Sequence, residues 1–139
     1  MICTSMQPRT SVRGKLDDLE LMESSVQRGV RAIVLKSHNV PTADRAYLVN
    51  RVAAEKYPDV KFTAFGGLCL NCPVGGLNPD AVETSLKLGA KVIWLPTNTA
   101  ENHYRKNGKD PSKGVVVTRD GKAVSVTIKD MNGNPLDEK

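Results

Sequence analysis

The two histidines of the sequence are the residues whose type and position indicate chemistry most directly. His38 follows the apolar run Val30–Leu35, with Lys36 in between, and His103 follows the run Lys91–Leu95. A neutral imidazole is the commonest protein ligand for zinc, and a lysine at a strand end can hold an anionic substrate. The histidines therefore indicate part of a metal site. The alternative for Lys36 and His38 is an ordinary pair of surface side chains.

A glycine-rich segment, Gly66–Asn78, is the second candidate for ligand contact. Paired glycines let a backbone approach a ligand closely, and the helix start at its end favours anions. No Gly-Lys-Ser/Thr sequence follows the glycines, so the segment does not match a phosphate-binding loop. The alternative is a tight loop that needs positive φ angles.

The cysteines do not indicate a disulfide framework. The sequence has three cysteines, and an odd number cannot all pair within one chain. Cys69 and Cys72 have the two-residue gap of zinc ribbons and redox sites, but no second Cys or His pair with matching spacing accompanies them. We therefore expect Cys69 and Cys72 to be free thiols without bound metal.

Composition indicates an ordinary globular protein. The chain has 139 residues, 40% hydrophobic and 25% charged, which predicts a single domain over 1–139. The net charge is +5, but the basic residues are scattered and aromatic residues make up only 4%, so we expect no nucleic-acid partner. No apolar run could span a bilayer and no secretory signal begins the sequence. These features predict a cytoplasmic protein without a membrane partner.

Apolar runs alternate with helical patterns along the chain. The spacing of apolar residues predicts helices over Leu16–Arg28, from a cap at Thr42 to about Lys56, and from Asn78 to Gly89. Short β-branched runs predict strands over the ranges Val30–Leu35, Val60–Phe65 and Lys91–Leu95.

Strands that alternate with helices predict an α/β fold, in which repeated βα units form a parallel sheet. An Asp-Gly pair at Asp120-Gly121, between two β-rich runs, predicts an additional C-terminal β-hairpin. Ligands of parallel α/β folds bind at the carboxyl ends of the strands. The loops Lys36–Thr42, Gly66–Asn78 and Pro96–Tyr104 are therefore the expected site.

Several segments together resemble an uncharacterised amidohydrolase-related family, whose members are similar to metal-dependent TIM-barrel hydrolases. The resemblance covers nearly the whole chain and is carried by Val30–His38, Pro41-Thr42, Gly66-Gly67, Leu70-Asn71, Val74–Pro79, Ala81–Glu83, Leu88–Lys91, Trp94–Thr97 and Asn102-His103.

The beginning of the chain departs from the family pattern of Asp, His-x-His, Pro and Arg. Pro8 and Arg13 fit this pattern, whereas the two histidine positions fall on Cys3 and Ser5. His-x-His supplies two metal ligands in such barrels. Catalytic zinc usually has three protein ligands, so the expected metal site is incomplete. The resemblance also implies the N-terminal half of a barrel, since a complete barrel needs about 250 residues.

The resemblance implies a metal-dependent hydrolase that acts on C–N or ester bonds of a small-molecule substrate with zinc or manganese. We expect a truncated form that is inactive alone. The alternatives are a non-catalytic binding or interaction module, and one half of an enzyme assembled from two chains. A homo-oligomer or a partner half-barrel would cover the open sheet. The implied residues are Lys36 and His38 for catalysis, His38 and His103 for the metal, and Arg13, Asn71, Asn78 and Thr97 for the substrate.

Overall fold

A computed structural model describes residues 2–3, 16–107, 124–128, 132 and 134 of the chain. The described residues form a mixed α/β structure with parallel strands, as the alternating pattern predicts. The strands are β1 (Ile2–Cys3), β2 (Ala32–Leu35), β3 (Thr63–Phe65), β4 (Gly67–Cys69) and β5 (Val92–Trp94). The helices are α1 (Asp18–Gln27), α2 (Ala43–Lys56), α3 (Pro79–Lys87) and α4 (Glu101–Asn107).

The strands pair in sequence order, and every strand pair is parallel. β2 lies between β1 and β3 in one sheet, while β4 pairs with β5 in another. Gly66 joins β3 to β4 directly, so one continuous stretch of chain pairs first with β2 and then with β5. The described strands do not close into a barrel.

Close packing against α2 explains why a glycine stands where the chain changes partners. A Cβ atom at this position would lie 2.5 Å from Cα of Ala43, at the beginning of α2. Only glycine therefore lets the sheet pass this close to the helix. The sequence predicts a loop from Gly66 onward, and the structure instead continues with the buried strand β4.

The main core lies between the first sheet and helices α1 and α2. Buried side chains alternate along β2, where Ile33 and Leu35 face the helices. A bidentate ion pair between Arg45 and Asp18, with N–O distances of 2.6 and 2.7 Å, links α2 to α1 beside this core. The buried members of the core are Met22, Ile33, Leu35, Ala46, Val49, Ala53 and Ala64.

Local capping signals determine where two of the helices begin. Asp17 and Glu20 form a capping box at the beginning of α1. Asn78 accepts hydrogen bonds from the main-chain nitrogens of Asp80 and Ala81, and Pro79 occupies the first position of α3. The predicted helix start at Asn78-Pro79 is confirmed.

The region after β5 differs from its predicted course. Glu101–Asn107 forms helix α4, which begins inside the predicted loop Pro96–Tyr104 and extends beyond it. The predicted hairpin turn at Asp120-Gly121 lies outside the described residues. Val126 forms an isolated parallel bridge with Ala100. Among the described residues, no helix is long and apolar enough to cross a membrane.

Candidate functional site

The alternation of burial along β2 continues past its end and places Lys36 on the face opposite the helices. Leu35 and Ser37 are buried on the side of the helices, whereas Val34 and Lys36 are half-buried. Side chains two residues apart in an extended chain point to the same side. His38 is also half-buried and begins the bend that follows, at the carboxyl end of β2.

Asn71 connects the loops that follow three different strands. It is completely buried, and its side-chain nitrogen donates to the main-chain oxygen of His38 at 2.9 Å and to Oγ1 of Thr97 at 3.1 Å. Its side-chain oxygen accepts from the main-chain nitrogen of Thr97 at 2.8 Å and from Oγ1 of Thr99 at 3.0 Å. One side-chain amide thus fixes the ends of β2, β4 and β5 relative to one another.

The hydroxyl of Thr97 lies between a histidine and a cysteine. Its Oγ1 is 2.9 Å from Nδ1 of His38 and 3.3 Å from Sγ of Cys69. Since Asn71 already donates to this oxygen, the hydroxyl proton can go to His38, to Cys69 or back to Asn71. If the Thr97 hydroxyl donates to Nδ1, a neutral imidazole carries its proton on Nε2. If Nδ1 donates to the hydroxyl oxygen instead, Nε2 has a lone pair and no proton. The orientation of this hydroxyl is therefore coupled to the tautomer of His38.

A cation–π contact holds Lys36 at the same end of the sheet. Its Nζ lies 5.5 Å from the centroid of the Trp94 ring. A Cβ atom at Gly67 would lie 2.3 Å from Cζ3 of Trp94, so this glycine provides the space that the ring occupies. Strands β2, β4 and β5 therefore each contribute to the position of Lys36 and its aromatic neighbour.

Thr42, which the sequence predicts to cap α2, uses its side chain to connect two strands instead. Its side chain makes no capping hydrogen bond. Instead, its single Oγ1 proton has two acceptors within reach, the main-chain oxygens of Leu35 at 2.8 Å and of Gly67 at 3.1 Å. The same Oγ1 accepts from the main-chain nitrogen of Gly67 at 2.8 Å. The hydroxyl thus joins the end of β2 to the beginning of β4 beneath the polar cluster.

A family model matches residues 6–138, which is almost the whole chain. The chain belongs to the family of unknown function DUF6282. No curated protein and no solved structure matches it. The geometry of the site is therefore the main guide to the function of this DUF6282 member.

The structure brings together some of the residues predicted for the site of this DUF6282 chain and shows other positions for the rest. His38, Asn71 and Thr97 share the hydrogen-bonded cluster. Asn78 caps α3 and also donates to the main-chain oxygen of Val74, which is a structural role. His103 lies on α4. The remaining predicted residue, Arg13, lies outside the described residues.

Sequence reasoning missed three contributors to the cluster. Thr99 bonds Asn71 and also accepts from the main-chain nitrogen of Cys72 at 3.0 Å. Cys69 bonds Thr97, and Trp94 contacts Lys36. The Thr-Asn-Thr sequence at 97–99, directly after a strand, was the available signal for Thr99. Asn98 in the same sequence has a buried Oδ1 without a hydrogen-bond partner in the part of the chain that the structure describes.

The metal that the resemblance implies has no complete set of ligands among the described residues of this DUF6282 chain. Nowhere among them do three or more His, Cys, Asp or Glu side chains come together in a group that could hold a metal ion. Residues 36–42, 66–78 and 96–100 contain no Asp or Glu, and Glu101 follows at the beginning of α4. Zinc and manganese sites draw on these residue types. Cys69 and Cys72 are free thiols.

Proposed function

We propose that the chain is a hydrolase-related protein that binds a small-molecule substrate at the carboxyl ends of its parallel strands, with His38 as the reacting group. The observation that supports this most is the 2.9 Å contact between Nδ1 of His38 and Oγ1 of Thr97, inside a cluster organised by a buried amide. Imidazoles that take part in binding or proton transfer need such a partner, because it sets their tautomer and orientation.

His38 would act by proton transfer through its second ring nitrogen, Nε2. A general base takes a proton from the attacking water, and a general acid returns one to the leaving group. Because the Thr97 hydroxyl can donate to Nδ1 or accept from it, the cluster accommodates both tautomers without movement of the chain. Asn71 and Thr97 position His38 in this proposal and do not react.

We also propose that the described strands are consecutive strands of a TIM-barrel-like sheet. All strand pairs are parallel, and neighbours in space follow one another in sequence. Lys36 and His38 would then lie on the inner face, at the end where barrel enzymes have their active sites. Zinc or manganese remains a prediction from the resemblance, and no step proposed for His38 requires it.

A non-catalytic binding module is the second candidate. It is favoured by the described donor set, which lacks the group of ligands that a metal-dependent hydrolase requires. In this case the same face would bind a small molecule, and the Thr97–His38 contact would serve recognition alone.

Hydrolysis assays on the full chain test the proposal. We would measure turnover of 4-nitrophenyl acetate and a panel of amides, with and without added zinc or manganese. Because general acid–base catalysis contributes at least about 100-fold, we expect His38→Asn to lower the rate by that factor. Thr97→Val, which removes the hydroxyl, should lower it by about tenfold while the fold is retained.

Lys61→Met is the matched control, since Lys61 is exposed and precedes β3 at the opposite end of the sheet. Its rate should equal that of the wild type. Equal rates for His38→Asn and wild type would contradict a reacting His38. Ligand binding without turnover of any substrate would favour the binding module.

A further inference from the structure

The charge of the site is the feature that specifies its ligand class. Residues 36–42, 66–78 and 96–100 carry one formal charge, that of Lys36, and no carboxylate. The carboxylate that follows them, Glu101 at the beginning of α4, already pairs with Arg105 and accepts from Ser125. Loops at the strand ends of a metal site would be expected to contribute acidic ligands. These loops contribute a cation, an imidazole and neutral hydrogen-bonding groups instead.

No counter-charge from the described residues pairs with Lys36. No salt bridge joins it to a carboxylate of the described residues, and its observed partner is the ring of Trp94. An aromatic face attracts the ammonium group but offers it no conventional hydrogen-bond acceptor. In the part of the chain that the structure describes, the three N–H donors of the ammonium group therefore remain for the oxygens of a ligand.

The neighbours of Lys36 lie at the same end of the sheet. His38 follows two residues later, and its Nδ1 is 2.9 Å from Oγ1 of Thr97, three residues after Trp94. Trp94 is kept beside Lys36 by the absence of a side chain at Gly67, where a Cβ atom would overlap the ring. A cation, an imidazole and an apolar ring surface thus lie close together at the ends of β2 and β5.

We infer that this face binds a small molecule that carries an oxyanion, either a carboxylate or a phosphate. The oxyanion contacts Nζ of Lys36, the apolar part of the molecule lies along the ring of Trp94, and the group next to the oxyanion reaches His38. The inference rests on the proposed function, because it names the ligand class of the same site. The oxyanion would replace part of the cation–π contact, so binding changes the surroundings of the indole.

Trp94 is the only tryptophan of the chain, and its fluorescence therefore reports on this site alone. The full-length protein is titrated with sodium malonate and, separately, with inorganic phosphate, while sodium chloride keeps the ionic strength constant. We expect a saturable change in emission with at least one oxyanion and none with chloride. The oxyanion that binds identifies the source as a carboxylate or a phosphate.

Lys36→Met retains the length of the side chain without its charge, and it should weaken binding at least tenfold. Lys91→Met is the matched control, since Lys91 is exposed and precedes β5 at the opposite end of that strand. Its affinity should equal that of the wild type. Isothermal titration calorimetry repeats each measurement, because the Lys36 variant alters the environment of the fluorophore itself.

Three outcomes would overturn the inference. They are the absence of saturable binding by either oxyanion, equal affinity of Lys36→Met and wild type, and equal binding of malonamide, the neutral analogue of malonate. Malonamide could also bind to Lys36→Met but not to His38→Asn. This result would exclude an oxyanion as the ligand, and it would still agree with a small-molecule site at His38.

Discussion

The side-chain nitrogen of Asn71 donates to the main-chain oxygen of His38 over 2.9 Å and joins the loop after β4 to the loop after β2. Asn71 is completely buried, so this bond has no competition from water. The same nitrogen holds Thr97, which contacts the imidazole of His38. The position of the reacting group in our proposal therefore depends on a side chain that does not react.

Asn71→Ala should destabilise the protein, because it leaves several buried polar groups without partners. Each such group costs about 1–3 kcal/mol, and we expect a loss of about 2–4 kcal/mol in the free energy of unfolding. Urea denaturation followed by circular dichroism measures this loss. Asn39→Ala is the control, and we expect it to change stability by less than about 0.5 kcal/mol. An equally small effect of Asn71→Ala would show that the cluster contributes little.

Thr42→Val should also destabilise the protein, although the two side chains have nearly the same shape. The change removes the hydroxyl that bonds Leu35 and Gly67, and it leaves the buried nitrogen of Gly67 without its partner. We expect a loss of about 1–3 kcal/mol by urea denaturation. Thr42→Ser retains the hydroxyl and should recover most of this loss. Equal stability of the Val and Ser variants would contradict a role for the hydroxyl.

Local signals in the sequence predicted much of the fold. The end of α2 at Lys56 and the beginning of α3 at Asn78-Pro79 agree with the structure, because capping depends on residues within one helical turn. The β-branched run before Lys36 predicted β2, and the alternation of strands with helices predicted the parallel pairing. These features require no knowledge of contacts that are distant in sequence.

The candidate site could be predicted only in outline. The strand-end rule placed His38, Asn71 and Thr97 in the correct loops, but not the hydrogen bonds between them, which span 26 to 59 positions of sequence. The need for glycine at Gly66 likewise depends on the backbone of α2, more than 20 positions earlier, so the glycine pair gave no local sign of strand β4. Long-range packing decides both features, and sequence periodicity carries no information about it.

The chain should associate with itself. Among the described strands, β1 and β5 each have a hydrogen-bonded neighbour on one side only, and Leu95, after β5, is 61% exposed. Unpaired sheet edges and solvent-exposed apolar side chains favour association between copies of a protein. Light scattering coupled to size exclusion should give a mass above 15.1 kDa. Leu95→Lys should shift the equilibrium toward monomer, and Val40→Lys should not. A stable monomer at all concentrations would contradict this prediction.

The two neighbouring glycines of the strand path should respond differently to alanine. At Gly66 the added methyl meets the backbone of α2 at 2.5 Å, and at Gly67 it meets the ring of Trp94 at 2.3 Å. Overpacking at such sites costs about 1–3 kcal/mol, so both variants should unfold at lower urea. Only Gly67→Ala displaces the indole, and only this variant should shift the native fluorescence of the single tryptophan.

Gly29→Ala is the control that shows the effect of backbone strain without a steric clash. Its methyl meets nothing within 4 Å, and its φ of +69° alone should cost about 1–2 kcal/mol without a spectral change. If Gly66→Ala and Gly67→Ala gave the same emission, the ring would not lie against Gly67, and the contact of Trp94 with Lys36 would lose its structural basis.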